Sequence, residues 1–424
     1  MNVEVSLGEA IDKLNILELK LKKISNEEKR KEIQKEINAL NACEIYKVKY
    51  DFFYHLLTYV NEDIWDTTDL IKNTQVTDPS FPILSHRIFS FNQKRFRIKS
   101  WFNLLETSNI KEQKSYASTM VYINVDTDLY SKIAEINYLL LEYDIVYVDQ
   151  SIKIFKQPNL MVGRCSNTID LSTFTIENKH VFEYKPINYI SGGLLGDFIH
   201  QLSVIHEKFI ETGRKGNLYI SDIIEFRFGV ETAFKDTYPL IIQQRYIHDY
   251  KIFSNEAIDV NLSEWRQSPL LYQTTWYHIF KDWYKVEWGK HPWLILPKNS
   301  TWENRILINY TAYRKMHLNI QDLYLKYDKK LIFVGYDKEL HDELVSNGIS
   351  IDYYCPSSLY DFAVAISSCE LFIGGLSSPL AFAFACHKKY VIGYELESID
   401  NVHFEPYNFK ICKNQKFKNF KNGV

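Results

Sequence analysis

The chain has 424 residues, of which 46% are apolar, 24% charged and 15% aromatic, and its formal net charge is −3. At roughly 100–200 residues per domain this length predicts two or three domains of ordinary globular composition, and the near-neutral charge excludes a general attraction to nucleic acid or an anionic membrane. No apolar run reaches the ~20 residues that span a bilayer; the start MNVEVSLGEAIDKLN lacks the basic-then-apolar order of a signal peptide, and the six cysteines form no CxxC pair, so a cytoplasmic protein with reduced thiols is expected.

Leu7, Ala10, Leu14, Leu17, Leu21 and Ile24 recur at steps of three and four, the seam of an amphipathic or coiled-coil helix. Ser6 with Glu9 forms a capping box at its start, and Ser25 with Glu28 repeats the signature where a second helix, carrying Ile33, Ile37, Leu40, Ile45, Val48, Phe52 and Leu56, is predicted. Residues 1–115 therefore read as a helical hairpin or bundle, either a packed domain or an arm for homo-oligomer formation. Within it, HRIFSFNQKRFRIKSWFNLL interleaves Arg87, Lys94, Arg95, Arg97 and Lys99 with aromatics. That pattern suits either a solvated face or a grip on single-stranded nucleic acid or phosphate.

Residues 116–180 read as a small α/β unit and linker. The strand MVYINV, a helix over 128–143 and the strand DIVYV form a βαβ-like pattern. Asp126 and Asp128 follow the first strand, either as carboxylates for a divalent cation or as helix-start residues favoured by capping and the macrodipole. Residues 150–185 have weak periodicity and are expected to hold a domain boundary.

From residue 187 the pattern alternates strand and helix. INYIS, LYIS and PLIIQQ are predicted strands, then RILINY, LIFVG (ending at Gly335), ISIDYY, ELFIGG and YVIGYE. A Trp-rich interruption near 265–300 divides two such sets. Apolar strands alternating with helices mean parallel sheets with both faces covered. The fold class expected is α/β, with two Rossmann-like domains (181–300 and 301–424) facing a cleft and the helical hairpin in front.

Two turns share one construction. SGGLLGD, Ser191 to Asp197, carries Gly193 and Gly196; GGLSSPL carries Gly374, Gly375, Ser377, Ser378 and Pro379. Each sets small residues where a strand gives way to a helix, so unsatisfied N–H groups and the positive end of the helix dipole face an open approach, as phosphate binding requires. Each also reads as a plain corner. Asp197 is expected just before its helix, either as a cap or as a functional carboxylate that the dipole keeps ionised. His200, one turn further on, is a candidate for acceptor or phosphate binding or a structural histidine.

ISGGLLGDFIHQL resembles the first loop of heptosyltransferase-like glycosyltransferases, and ILINYTAYR, LIFVG and LFIGGLSSPLAFAFACHKKYVIGYE resemble their donor half. The resemblance covers residues ~187–395 and implies the GT-B architecture of two Rossmann-like domains. EVSLGEAIDKLNILELKLKKI and NQKRFRIKSWFNLLE resemble an uncharacterised helical module found beside such enzymes, over ~1–148. The resemblance implies a metal-independent transfer from a nucleoside-diphosphate sugar to a glycan or other hydroxyl acceptor, with no further cofactor. It implies Asp197 as general base and His200 nearby, the 374–379 loop on the diphosphate, Arg314 as the cation beside it, and Glu395 at the donor ribose. One departure stands out: the relatives' D-S-G before the last donor helix reads L-S-S-P here. The five tryptophans Trp265, Trp276, Trp283, Trp288 and Trp293 are either sugar platforms or core.

Two other classes stay open: a glycan-binding scaffold on a decayed transferase fold, and a dinucleotide-dependent oxidoreductase. The latter is weakened because Ser191 stands where the G-x-G-x-x-G fingerprint needs its first glycine.

Overall fold

The computed structural model describes residues 4–110, 118–125, 128–271, 273–312, 319–375 and 377–392, and the chain divides into two compact units, Met1–Lys185 and Pro186–Val424.

In the first unit, helix α1 (Leu7–Lys23) starts where the Glu9 N–H donates to Ser6 Oγ at 3.3 Å. Helix α2 (Glu27–Ala39) is capped by Asn26, which accepts from the Lys29 N–H, one residue later than the Ser25 signature predicts. The single helix expected through Leu56 is broken: α3 (Glu44–Lys49) and α4 (Asp51–Lys72) follow α2 without a Gly or Pro at the break. Helix α5 (Ser80–Leu105) completes the set. Ile11, Leu14 and Leu17 of α1 are fully buried, so its apolar seam is used within the unit. Gly8 permits the close approach of α1 to α5: its N–H donates to Asn103 Oδ1 at 2.7 Å, and a Cβ there would collide with the Lys99 carbonyl.

A buried polar network lies between α1, α4 and α5. Asn61 Nδ2 donates to Asp12 Oδ1 and Asn15 Oδ1, each at 3.0 Å, and Arg95 Nε donates to Asp12 at 2.9 Å. Asp12 is 2% exposed, so its acceptors have no water to fall back on. Asn61→Ala strips a donor from both partners and is expected to lower unfolding stability by about 1–3 kcal/mol in urea titrations; an unchanged midpoint would show that the network adds nothing.

The basic residues of α5 are all engaged by acids of the same unit: Arg87 with Asp63, Lys94 with Glu142, Arg95 with Asp12, Arg97 with Asp144 and Lys99 with Glu9. Lys94 and Arg97 are buried, and Arg97 Nη1 also donates to the Leu141 carbonyl at 2.9 Å. These pairs tie α5 to α1, to α4, and to helix α6 (Ile133–Glu142) and the turn after it, which accounts for the charge density better than a solvated face does.

Strands β1 (Met120–Asn124), β2 (Ile145–Val148), β3 (Leu160–Val162) and β4 (Thr168–Asp170) form a parallel sheet of order β3-β2-β1-β4. The last two lie where weak periodicity predicted linker; three residues each, largely exposed, leave little pattern to read. Helix α7 (Lys179–Phe182) closes the unit. Phe52, Phe53, Trp101 and Phe102 share one core with Leu141, Val181 and Phe182, so the N-terminal helices pack on α6 and α7.

The second unit opens with β5 (Ile187–Ser191), α8 (Leu195–Thr212), β6 (Gly216–Ile220), α9 (Val230–Ile241), β7 (Ile247–Ile252), β8 (Val260–Asn261) and α10 (Trp276–Tyr284), with sheet order β7-β6-β5-β8. PLIIQQ is not a strand: its PLI closes α9, with Leu240 and Ile241 fully buried, and the strand is the more polar IHDYKI that follows. Next come β9 (Ile306–Asn309), α11 (Ile320–Tyr327), β10 (Leu331–Val334), α12 (Lys338–Ser346), β11 (Asp352–Tyr354), α13 (Leu359–Ser368), β12 (Leu371–Gly374), α14 (Ser378–Ala385) and β13 (Tyr390–Ile392), with sheet order β11-β10-β9-β12-β13. Every residue of β9, β10 and β12 is buried, as covered parallel strands require. Both sheets run outward from their first strand and then jump back across it. Each therefore has a switch point, between β5 and β8 in one and between β9 and β12 in the other, and open parallel sheets take ligands at such points beyond the strand C-termini.

Candidate functional site

The loop leaving β5 lies at the first switch point. The Ser191 hydroxyl donates to Gln201, and the Gly192 N–H donates to Ser263 Oγ at 3.1 Å, fastening the strand end to α8 and to the turn after β8. Gly193 has φ +111°, a conformation suited to glycine. A Cβ there would stand 2.6 Å from Arg266 Nη2, so the missing side chain makes room for that guanidinium. Helix α8 begins at Leu195 after the N-cap Leu194. Asp197 is therefore inside the first turn and does not cap the helix. Its Oδ2 accepts from Arg266 Nη2 at 2.6 Å, with the two side chains 29% and 22% exposed.

Arg266 has no counterpart among the sequence-predicted site residues. Its guanidinium carbon stacks 4.3 Å over the Trp265 ring. Its Nη1 is buried and has no hydrogen-bond partner among the described residues. The available signal was the adjacent Trp-Arg after a strand end, but its partner lies 69 residues earlier, a separation that no local pattern encodes.

The second switch point gathers Gly335, Gly374, Gly375, Ser377, Ser378 and Pro379. Asn309 ends β9 at 6% exposure; its Nδ2 donates to the Val334 carbonyl at 2.8 Å, and its Oδ1 is buried without a partner among the described residues. Gly335 and Gly374 hold their places by close approach, since a Cβ would meet Asn309 Nδ2 at 2.8 Å in the first case and the Phe372 ring at 2.7 Å in the second. The Gly375 N–H donates to the Asn309 carbonyl at 3.1 Å. Ser377 is the N-cap of α14, yet its hydroxyl makes no capping bond and is buried without a partner among the described residues. Ser378 begins the helix and Pro379 occupies its first turn, where a missing N–H costs nothing.

The two loops meet. A Cβ built on Gly196 would lie 3.7 Å from Ser378 Cα, so the first turns of α8 and α14 abut, with Asp197 one residue from the contact. Below them the helices pack through an aromatic seam. His200 is 4% exposed, with ring centroids 5.4 Å from Trp276, 5.7 Å from Trp288 and 5.5 Å from Phe384. The Trp288 and Trp293 indoles donate to the His200 and Ile199 carbonyls at 3.0 and 2.7 Å. Trp265, Trp276, Trp288 and Trp293 are buried in this seam, and Trp283 is half-buried. His200 is thus enclosed by rings instead of facing the open end of the helix, and burial pulls its pKa down to about 3. Further along α8, His206 is 1% exposed, neither ring nitrogen has a hydrogen-bond partner among the described residues, and burial, aided by Arg245, His291 and His387, also takes its pKa to about 3. Burial raises the neighbouring Glu207, which accepts the His291 N–H at 3.1 Å.

Arg314, Glu395 and Asp126 lie outside the described residues. Asp128 accepts the Tyr130 N–H at 3.2 Å at the start of the turn before α6. Among the described residues no helix is long and apolar enough to cross a membrane, and no group of three or more His, Cys, Asp or Glu side chains is placed to hold a metal ion.

Residues 1–135 match the Family of unknown function (DUF6165). No curated protein matches the chain. Among solved structures, a glycosyl transferase family 9 protein from Veillonella parvula is similar at 13% identity, covering 57% of this chain and 90% of that one, with a TM-score of 0.35. The E. coli heptosyltransferase WaaC, solved with ADP-2-deoxy-2-fluoro heptose, is similar at 10% identity over 71% and 98% of the two chains, TM-score 0.27. The E. coli ADP-heptose lps heptosyltransferase II is similar at 11% identity over 69% and 89%, TM-score 0.24. Likenesses this distant carry no weight for activity, which rests on the residues themselves.

Proposed function

We propose that the second unit transfers a sugar from a nucleoside diphosphate to an acceptor hydroxyl, with the site in the cleft where its two switch points meet. The observation that carries this reading is the abutment of the α8 and α14 first turns. It sets a carboxylate, Asp197, beside the α14 start of the second switch point, where Asn309 Oδ1 and Ser377 Oγ lack partners among the described residues. A glycosyl transfer needs a base on one side of the anomeric carbon and positive potential on the other. In this reading the acceptor oxygen bonds to the anomeric carbon as its proton passes to Asp197. The bond from that carbon to the β-phosphate oxygen breaks, and its electron pair leaves with the nucleoside diphosphate. The positive end of α14, with the Ser377 hydroxyl, receives the diphosphate. Asn309 Oδ1, an acceptor only, fits a hydroxyl or amino group of the donor. Helix N-termini and a guanidinium supply the positive potential, so the reaction proposed is metal-independent.

A thermal-shift screen of nucleoside diphosphates and nucleotide-sugars, each with Mn²⁺ and with EDTA, tests this. A ligand at 100 times its Kd adds about 2.7 kcal/mol to apparent stability, and at least one diphosphate is expected to raise the midpoint in EDTA. Stabilisation by none of them removes the transfer reading; stabilisation only with Mn²⁺ removes its metal independence.

A further inference from the structure

We infer that Arg266, carried by the first sheet of the second unit, is the cation that contacts the donor diphosphate held by the second sheet. The inference rests on the transfer reading and adds to it a charged residue from the opposite sheet. Three observations place the guanidinium for this. It is oriented before any ligand arrives, by the 2.6 Å bond to Asp197 and by stacking 4.3 Å over Trp265. It occupies the space that Gly193 leaves by lacking a Cβ, so it stands in the loop at the switch point. And its Nη1 is a buried donor with no partner among the described residues. An unsatisfied buried donor is costly, and a ligand oxygen removes the cost.

The chemistry of the missing partner follows from the surroundings. Asp197 is adjacent to Gly196, which meets Ser378 at the start of α14, where the positive end of the helix dipole favours an oxyanion. A phosphate there would have the α14 terminus on one side and Arg266 on the other, and the planar guanidinium suits phosphate oxygens. As the bond to the anomeric carbon breaks and charge collects on the β-phosphate oxygen, Nη1 donates to it while Nη2 keeps Asp197 aimed at the acceptor. One side chain then links the base to the leaving group.

A purely structural arginine would hold Asp197 and ignore phosphate, and calorimetric titration of the full chain separates the two. ADP, GDP, UDP, CDP, inorganic pyrophosphate and the four parent nucleosides are titrated into wild type, R266M, R266K and D197N. R266M is expected to lose about ten- to a hundredfold in affinity for the diphosphate and for pyrophosphate, with nucleoside affinity unchanged. R266K should recover part of the loss. D197N should bind diphosphate several-fold more tightly, because it removes the negative charge beside the guanidinium. Wild-type diphosphate affinity in a folded R266M overturns the inference and leaves the transfer reading standing. If R266M does not fold, D197N decides: unchanged or weaker diphosphate affinity there overturns it equally. Wild type that binds neither diphosphates nor pyrophosphate overturns both readings.

Discussion

Asp197→Asn is expected to lower the rate of sugar transfer by about 10²–10⁴-fold, the range of a single general base, with the fold intact and diphosphate binding retained. The substitution keeps the side chain's shape, so Arg266 retains an oxygen to donate to and the 2.6 Å geometry need not collapse. What it removes is the ability to take the acceptor's proton. The loss should therefore appear in kcat at saturating donor, while donor KM falls because the guanidinium no longer faces a competing carboxylate. Both side chains of the pair keep some solvent contact, at 29% and 22%, so the stability cost is expected to be small. Full activity in the variant would remove Asp197 from the mechanism. It would also favour an acceptor activated by another group of the same cleft.

Acid should destabilise the second unit well before its ordinary carboxylates protonate. His200 and His206 have folded pKa values of about 3, against a usual 6.5. Between those values the unfolded chain takes up two protons that the folded chain refuses, so stability falls as pH falls through this window. Each histidine contributes about 1.4 kcal/mol per pH unit once the pH is well below 6.5. Glu207 opposes them: its raised pKa lets the folded form bind a proton first, which adds stability as pH falls. Burial also lowers His387, which acts in the same direction as the other two histidines, so the balance is a net loss. Urea unfolding between pH 7.5 and 4.5 should show a slope approaching 3 kcal/mol per unit before that offset, and His206→Leu should remove about half of it. A flat profile in the wild-type chain would mean that neither ring is as secluded as its surroundings indicate.

The strands of the second unit were largely legible in the sequence because ILIN, LIFV and LFIG are buried on both faces and, apart from Asn309, carry no polar side chain. β7 was not, since IHDYKI carries polar residues on an edge strand, and the apolar PLII beside it belongs to a helix face. The break between α2 and α4 was hidden for the opposite reason: the apolar period runs on through residues where the backbone turns. Of the candidate site, the two glycine turns were found because a strand-to-helix corner is a local signal. The partners of their side chains were not. Asp197 resembles a cap in the sequence because the apolar period starts only at Phe198, whereas the helix itself begins at Leu195. Arg266 became visible only when β8 brought it beside Gly193. His200 looked accessible because its enclosure comes from Trp276, Trp288 and Phe384, up to 184 residues away along the chain, and a pattern read along one helix carries no record of them.

The aromatic seam between α8 and α14 bears on how the second unit can move. Large rings bury about 150–250 Å² each, so exposing even two of them to water costs on the order of 10 kcal/mol. That is comparable to the whole stability of an ordinary domain, about 5–15 kcal/mol. The two sheets are therefore one cooperative block, and rotating them apart is close to unfolding them. Under the transfer reading, substrates must then enter and leave without a hinge between the two sheets.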